Sequence, residues 1–135
     1  MSEGYEGGCH CGALRYRIAA KPSESGYCHC KICQRTTSAP VLAWFGMPIE
    51  SFELIAGEPR AYKSSERGER LFCGTCGTQL LYRDSVGPKE VYINTASLDE
   101  PEIAPPEKHI FTASQISWFD TADDLPRYEG YTAEA

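Results

Sequence analysis

The chain predicts an all-β domain with minor helix, on three observations. Short alternating or apolar segments recur along its 135 residues, turn residues separate them, and no stretch of about twelve residues keeps helical periodicity. Residues 13–18 alternate, with Leu14, Tyr16 and Ile18 on one face and Arg15 and Arg17 on the other, as in a half-buried strand. Residues 41–45 form a continuous apolar run closed by Gly46 and Pro48, consistent with an interior strand. Shorter strands are expected at 52–56, 61–63 and 79–83. Residues 90–96 set Val91 and Ile93 on one face, and 109–112 close the set. Gly57-Glu58-Pro59, Gly87-Pro88 and residues 101–106 supply turn and loop chemistry. One short helical turn is expected at 31–37. The chain reads as a single domain over 1–135, able to bury about two-thirds of its unfolded surface, with a loose tail at 129–135.

Charge narrows the function classes. Thirteen Lys and Arg stand against 19 Asp and Glu, a formal net charge of −6. Residues 120–135 hold five acids and one Arg, so most of that charge lies at the end and the body is close to neutral. Without a basic cluster, nucleic acid is not an expected partner. The first residues lack the basic region and apolar run of a signal peptide, and the longest apolar stretch, 39–49, is broken by Pro40 and Pro48. That stretch is too short for a membrane helix, so a cytoplasmic protein without a membrane partner is expected.

Seven cysteines fall in three groups: Cys9-x-Cys11, Cys28-x-Cys30-x-x-Cys33 and Cys73-x-x-Cys76. Bridges within such short loops strain disulfide geometry, whereas thiolates two or three residues apart can converge on one ion. Cys73-Gly74-Thr75-Cys76-Gly77 has the form of a metal knuckle, in which backbone N–H groups point at sulfur and the last Gly takes a positive φ at little cost. A structural zinc takes four ligands, and Cys9 and Cys11 face one way in an extended segment while His10 faces the other. A redox Cys-x-x-Cys needs a βα context that Cys73 to Cys76 lack. The remaining group, Cys28, Cys30 and Cys33, is one ligand short. Either a histidine or an acid completes it, or the fourth position is open, as in catalytic zinc sites. His10 and His29 each lie between two candidate ligands and are expected to point away; His109 is distant in sequence but could return in space.

Three motifs, Gly8-Cys9-His10-Cys11-Gly12-Ala13-Leu14-Arg15-Tyr16, Cys28-His29-Cys30-x-x-Cys33-Gln34-Arg35 and Phe72-Cys73-Gly74-Thr75-Cys76-Gly77-Thr78-Gln79-Leu80, resemble the glutathione-dependent formaldehyde-activating enzyme family, also called the centromere protein V-like family. Ala96-Ser97-Leu98-Asp99, His109-Ile110-Phe111, Trp118 and Leu125-Pro126-Arg127-Tyr128 match its C-terminal features, so the resemblance runs over 7–128. Ser38 departs from the pattern, standing where members commonly carry Gly. The resemblance implies a β-tent fold related to methionine-R-sulfoxide reductases and to a Rab-associated zinc chaperone. It implies two zinc ions per chain, a structural one on Cys9, Cys11, Cys73 and Cys76 and a second on Cys28, Cys30 and Cys33, with glutathione able to approach the second.

The activity expected from this is a carbon–sulfur lyase, with Cys28, Cys30 and Cys33 at the chemical centre and a small thiol and an aldehyde as substrates, as in S-(hydroxymethyl)glutathione. A metal that stabilises a thiolate near neutral pH favours its attack on a carbonyl carbon. Arg35, Trp44 and His109 are candidate pocket residues, Arg35 for a glutathione carboxylate, and Trp118 is a further candidate for the wall. The alternative is a non-catalytic zinc module that binds a thiol metabolite or a protein partner. Methionine-sulfoxide reduction needs a cysteine free of metal, and all seven here are candidate ligands.

Overall fold

The alternation at 13–18 becomes one face of a small sheet. In the computed structural model, which describes residues 4–131, β1 (Tyr5–Gly8), β2 (Arg15–Ile18) and β5 (Phe52–Ala56) pair antiparallel in the order β1-β2-β5. Leu14, Tyr16 and Ile18 are all essentially buried, while Arg15 reaches outward to a short ion pair with Asp99.

The second sheet has seven strands. Its order is β10 (His109–Ile110), β3 (Glu24–Cys28), β4 (Leu42–Pro48), β9 (Glu90–Asn94), β8 (Gln79–Asp84), β7 (Gly68–Phe72) and β6 (Arg60–Lys63). Only β10 runs parallel to its neighbour, β3. Most of the apolar run at 41–45 lies in β4, an interior strand between β3 and β9, with Phe45 and Met47 in the main core and Leu42 and Trp44 in a smaller cluster.

Register sorts the side chains of this sheet into two rows. Phe45 pairs with Ile93, Ile93 with Leu81 and Leu81 with Leu71, and all four are buried in the main core with Tyr16 and Ile18. One residue along each strand, Gly46, Tyr92, Tyr82 and Arg70 are likewise in register, on the opposite face. A second, smaller cluster lies on that face, around Cys28, Cys33, Trp44 and Ile110.

The strands expected at 52–56, 61–63, 79–83 and 90–96 are present within a residue or two, and the predicted turn at 31–37 is α1 (Lys31–Thr37). Three strands escape sequence patterning. Tyr5–Gly8, Glu24–Cys28 and Gly68–Phe72 each contain glycine and little apolar alternation, so pairing with neighbours, not local propensity, makes them strands. Two residues of the expected loose tail make contacts: Phe111 N donates to Gly130 O, and the Phe111 and Tyr131 rings meet edge to face at 4.7 Å. The rest of the expected loose tail, 132–135, and the first three residues lie outside the described residues.

A cysteine and a serine cap the two ends of α1. The Cys30 sulfur is the N-cap, accepting from Cys33 N at 3.2 Å. Ser38 is the C-cap, in the left-handed region at φ 55° and ψ 39°, with its N–H on Gln34 O. This conformation explains why glycine suits the position, since a Cβ there crowds the backbone. Ser38→Gly should therefore stabilise the fold by about 0.5–1 kcal/mol, the relief of a left-handed Cβ less the added freedom of the unfolded chain. A higher urea midpoint at unchanged slope is the expected result.

Candidate metal and ligand site

The loop after β1 and the knuckle after β7 bring four sulfurs together. The sulfurs of Cys9, Cys11, Cys73 and Cys76 all lie within 4.8 Å of one another. Cys9 Sγ is 3.7 Å from Cys11 Sγ, which is 3.8 Å from Cys73 Sγ. A tetrahedron of thiolates with metal–sulfur bonds of about 2.3 Å has edges of about 3.8 Å, so this donor set fits a metal ion. Backbone N–H groups of Leu14, Thr75 and Cys76 point at sulfur at 3.3–3.4 Å. The Thr78 hydroxyl, then the backbone N–H groups of Thr78 and Cys11, bring the Cys76 thiol down to about 5. Gly77, at φ 83°, closes the knuckle, and His10 N donates to Thr78 Oγ1 across the two segments. The cluster joins both sheets at the margin of the main core, where Cys9 and Cys73 are buried.

The sulfurs of Cys28, Cys30 and Cys33 form a second group within 4.8 Å, with Cys28 Sγ and Cys33 Sγ 3.4 Å apart. Sulfur contacts from Cys28, then Cys33, together with Cys33 N and the charge of Arg70, hold Cys30 down to about 2. The same contacts push Cys28 upward. Only one of the sulfurs readily carries charge by itself, and a cation relieves the repulsion that keeps its neighbours protonated.

These three cysteines stand at the wall of a cavity of about 550 Å³, within the range of small-ligand sites. The sheet supplies much of the lining through Trp44, Tyr82, Tyr92, Asn94 and Arg70, and Ile110, Phe111 and Tyr131 supply the C-terminal side. Arg70 is only 6% exposed. Its Nε donates to Ser64 Oγ at 3.1 Å, Nη2 approaches Cys33 Sγ at 3.8 Å, and the guanidinium lies 4.9 Å from the Tyr82 ring centre. Among the described residues this buried cation has no carboxylate partner within ion-pair distance; what it contacts that can carry negative charge is Cys33 of the triad.

Parity along the strands decides which candidates reach this cavity. Glu24, Cys28 and Trp44 lie on the cavity face. β10 pairs Ile110 with Cys28 and His109 with Tyr27, so Ile110 joins the wall and His109 is turned behind it. His109 and His29 are both fully buried there, joined Nδ1 to Nε2 at 2.9 Å, with His109 Nε2 near Asp123 at 3.3 Å and Thr121 Oγ1 at 3.2 Å. Neither histidine enters the sulfur triad, and His10 is exposed beside the other cluster. Arg35 is exposed on the last turn of α1 and does not line the cavity; Trp118 is 76% exposed and also lies outside it. Of the candidate pocket residues, Trp44 alone is in the wall. Arg70, Tyr82 and Tyr92 are the residues that sequence reasoning missed. Tyr82 and Tyr92 alternate with core residues Leu81 and Ile93, and large rings on the supposedly open face were the available signal.

The comparisons with known proteins accord with this geometry. Residues 4–114 match the family model described as glutathione-dependent formaldehyde-activating enzyme. The chain belongs to that family. A Halomonas elongata protein named "Putative glutathione-dependent formaldehyde-activating enzyme" is 28% identical over 125 residues, covering 85% of this chain and 79% of that protein. An uncharacterized lyase of Schizosaccharomyces pombe is 33% identical over 92 residues, 67% of this chain and 65% of that one. A crystal structure of a Rhodobacter sphaeroides protein superposes with a TM-score of 0.58 at 22% identity, over 70% of this chain and 87% of that chain. The last shares the fold. The kinship with methionine-R-sulfoxide reductases rests on the sequence resemblance alone.

Gln34 ties the triad's loop to the C-terminal segment, its side-chain amide donating to His29 O at 2.7 Å and Ser114 O at 3.0 Å. Gln34→Ala leaves both carbonyls without that donor and should cost about 1–3 kcal/mol in urea denaturation.

Proposed function

We propose that this protein is a zinc-dependent carbon–sulfur lyase that makes or breaks thiol–carbonyl adducts such as S-(hydroxymethyl)glutathione. The observation that carries the reading is a three-sulfur cluster set into the wall of a ligand-sized cavity. Family membership and the lyase named among the relatives support it.

Two zinc ions per chain suit the two donor sets. Cys9, Cys11, Cys73 and Cys76 form a closed set with a structural role, and Cys28, Cys30 and Cys33 form an open one facing substrate. When bound at the open set, zinc supplies thiol activation, favouring the thiolate of a small thiol such as glutathione near neutral pH.

The chain's own residues do the rest. Three thiolates carry one negative charge more than a divalent ion, and Arg70 is placed beside Cys33 to offset it. Arg70 Nε and Nη2 are engaged, while Nη1 has no hydrogen-bond partner among the described residues. That N–H is the donor for the carbonyl oxygen, where negative charge grows as the carbon–sulfur bond forms. The aromatic wall keeps bulk water from the reacting carbon and strengthens that contact. His29 and His109 sit behind the wall and fix the loop that carries Cys28 and Cys30; they do not meet substrate.

No helix among the described residues is long and apolar enough to cross a membrane. A cytoplasmic setting suits this reading, because reducing conditions keep all seven thiols available as ligands.

Native mass spectrometry with elemental analysis should find two zinc ions in the wild type and one in Cys30→Ser, whose fold persists. Cys76→Ser should instead lose cooperative unfolding, since structural zinc contributes folding free energy directly. Exchange NMR of formaldehyde with glutathione should show acceleration by the wild type and none by Cys30→Ser. Glutathione binding without acceleration would make the protein a non-catalytic zinc module. Arg70→Gln should lower kcat by about 10²-fold with little change in KM, the size of effect seen when one oxyanion donor is lost.

A further inference from the structure

The cavity is built for more than a one-carbon aldehyde. On its floor, rings lie across glycines of neighbouring strands. A Cβ at Gly46 would stand 3.0 Å from two ring carbons of Tyr92, and one at Gly26 would stand 3.2 Å from the Trp44 ring. A Cβ at Gly68 would run into the Tyr82 ring. Three glycines on three strands thus open room for three rings to spread over the sheet. The rings also touch one another: Trp44 meets Tyr92 edge to face at 5.8 Å, and Tyr82 is 6.3 Å from Tyr92. Phe111 and Tyr131 face the same space from the C-terminal side. Phe111 takes φ 58° to be there, a left-handed conformation that is strained for a bulky residue and clusters at ligand sites.

Charge on the wall is scarce, and among the described residues only Arg70 Nη1 is left to meet substrate. Glu24 is held by Lys108 at 2.9 Å, and Arg70 faces Cys33 and Tyr82. Glutathione carries two carboxylates and an ammonium, for which this interior has no spare set of partners. Its charged ends therefore stay at the mouth, and the sulfur alone reaches the triad. A hydroxymethyl group on that sulfur has two heavy atoms and takes up about twice the volume share of one water molecule, still a small part of the cavity of about 550 Å³.

Resting on the lyase reading above, we propose that the carbonyl half of the adduct is a planar aromatic or conjugated aldehyde, its ring seated on Tyr92, Tyr82 and Trp44. The reaction is the interconversion of a thiohemiacetal with a thiol and that aldehyde. In cleavage the C–S bond breaks with its electron pair passing to sulfur, the hydroxyl O–H bond breaks as C=O forms, and sulfur gains a proton in place of the one oxygen loses. No oxidant or reductant is needed.

The zinc-loaded full chain tests this by exchange NMR with glutathione and, in turn, formaldehyde, benzaldehyde and cinnamaldehyde. Acceleration over the spontaneous rate should be at least about tenfold greater for the two aromatic aldehydes, the discrimination an apolar pocket supplies for a matched group. Tyr92→Leu should lower that aromatic-to-formaldehyde ratio roughly 3–10-fold. Equal or greater acceleration for formaldehyde overturns the proposal and leaves the lyase reading standing. Absence of acceleration with every aldehyde overturns both. Titration calorimetry with S-benzylglutathione and S-methylglutathione needs no variant: the benzyl compound should bind about tenfold more tightly, and equal affinities also overturn the proposal.

Discussion

The two-residue pleat of the seven-stranded sheet is the constraint from which the rest follows. Because successive side chains must point to opposite faces, β4, β9, β8 and β7 present two different surfaces one residue apart. One row, Phe45, Ile93, Leu81 and Leu71, seals the main core against the small sheet. The next row, Gly46, Tyr92, Tyr82 and Arg70, faces the cavity. A one-residue slip in any of these strands would exchange core for site. The core row thus holds the register of the cavity row, and packing stability and site geometry become one property.

The same parity runs through β3 and the loop beyond it. Cys28 faces the cavity with Glu24, so the next residue, His29, turns away to its buried contact with His109, and Cys30 turns back. The Cys30 sulfur then caps α1 and draws Cys33 into the group. Convergence of three sulfurs is therefore a product of strand alternation and helix capping acting on adjacent residues. Arg70 arrives from the far side of the sheet, four strands from β3, and gives the cluster a buried positive neighbour. A cation buried without a carboxylate is costly unless something nearby carries negative charge. The triad is what makes its position tolerable, and its position in turn favours thiolates there.

Both cysteine groups that the spacing suggested come together in space, and the reason is local in one case only. Cys28, Cys30 and Cys33 are close in sequence, so a turn suffices to gather them. Cys9 and Cys11 meet Cys73 and Cys76 across more than sixty residues, which takes two sheets and the core between them. The knuckle chemistry of Gly74, Thr75 and Gly77 was legible because it depends on backbone shape within five residues. His109 and Arg35 have side chains suited to a ligand site, but register and exposure, which local sequence does not set, decide where they lie. Pairing of β10 with β3 turns His109 behind the wall, and the short helix carries Arg35 on its solvent side.

By itself the sequence determined the strands with strong alternation, the short helix, the grouping of the cysteines and the family motifs. Each of these rests on interactions between residues a few positions apart. Only the tertiary structure decided which face of each strand meets the core and which meets the cavity. It decided that Gly26, Gly46 and Gly68 serve as beds for rings on neighbouring strands, and that the buried cation is Arg70. Those outcomes depend on register between strands distant in sequence. A pattern of alternation shows that a strand has two faces; pairing with its neighbours settles what each face is for.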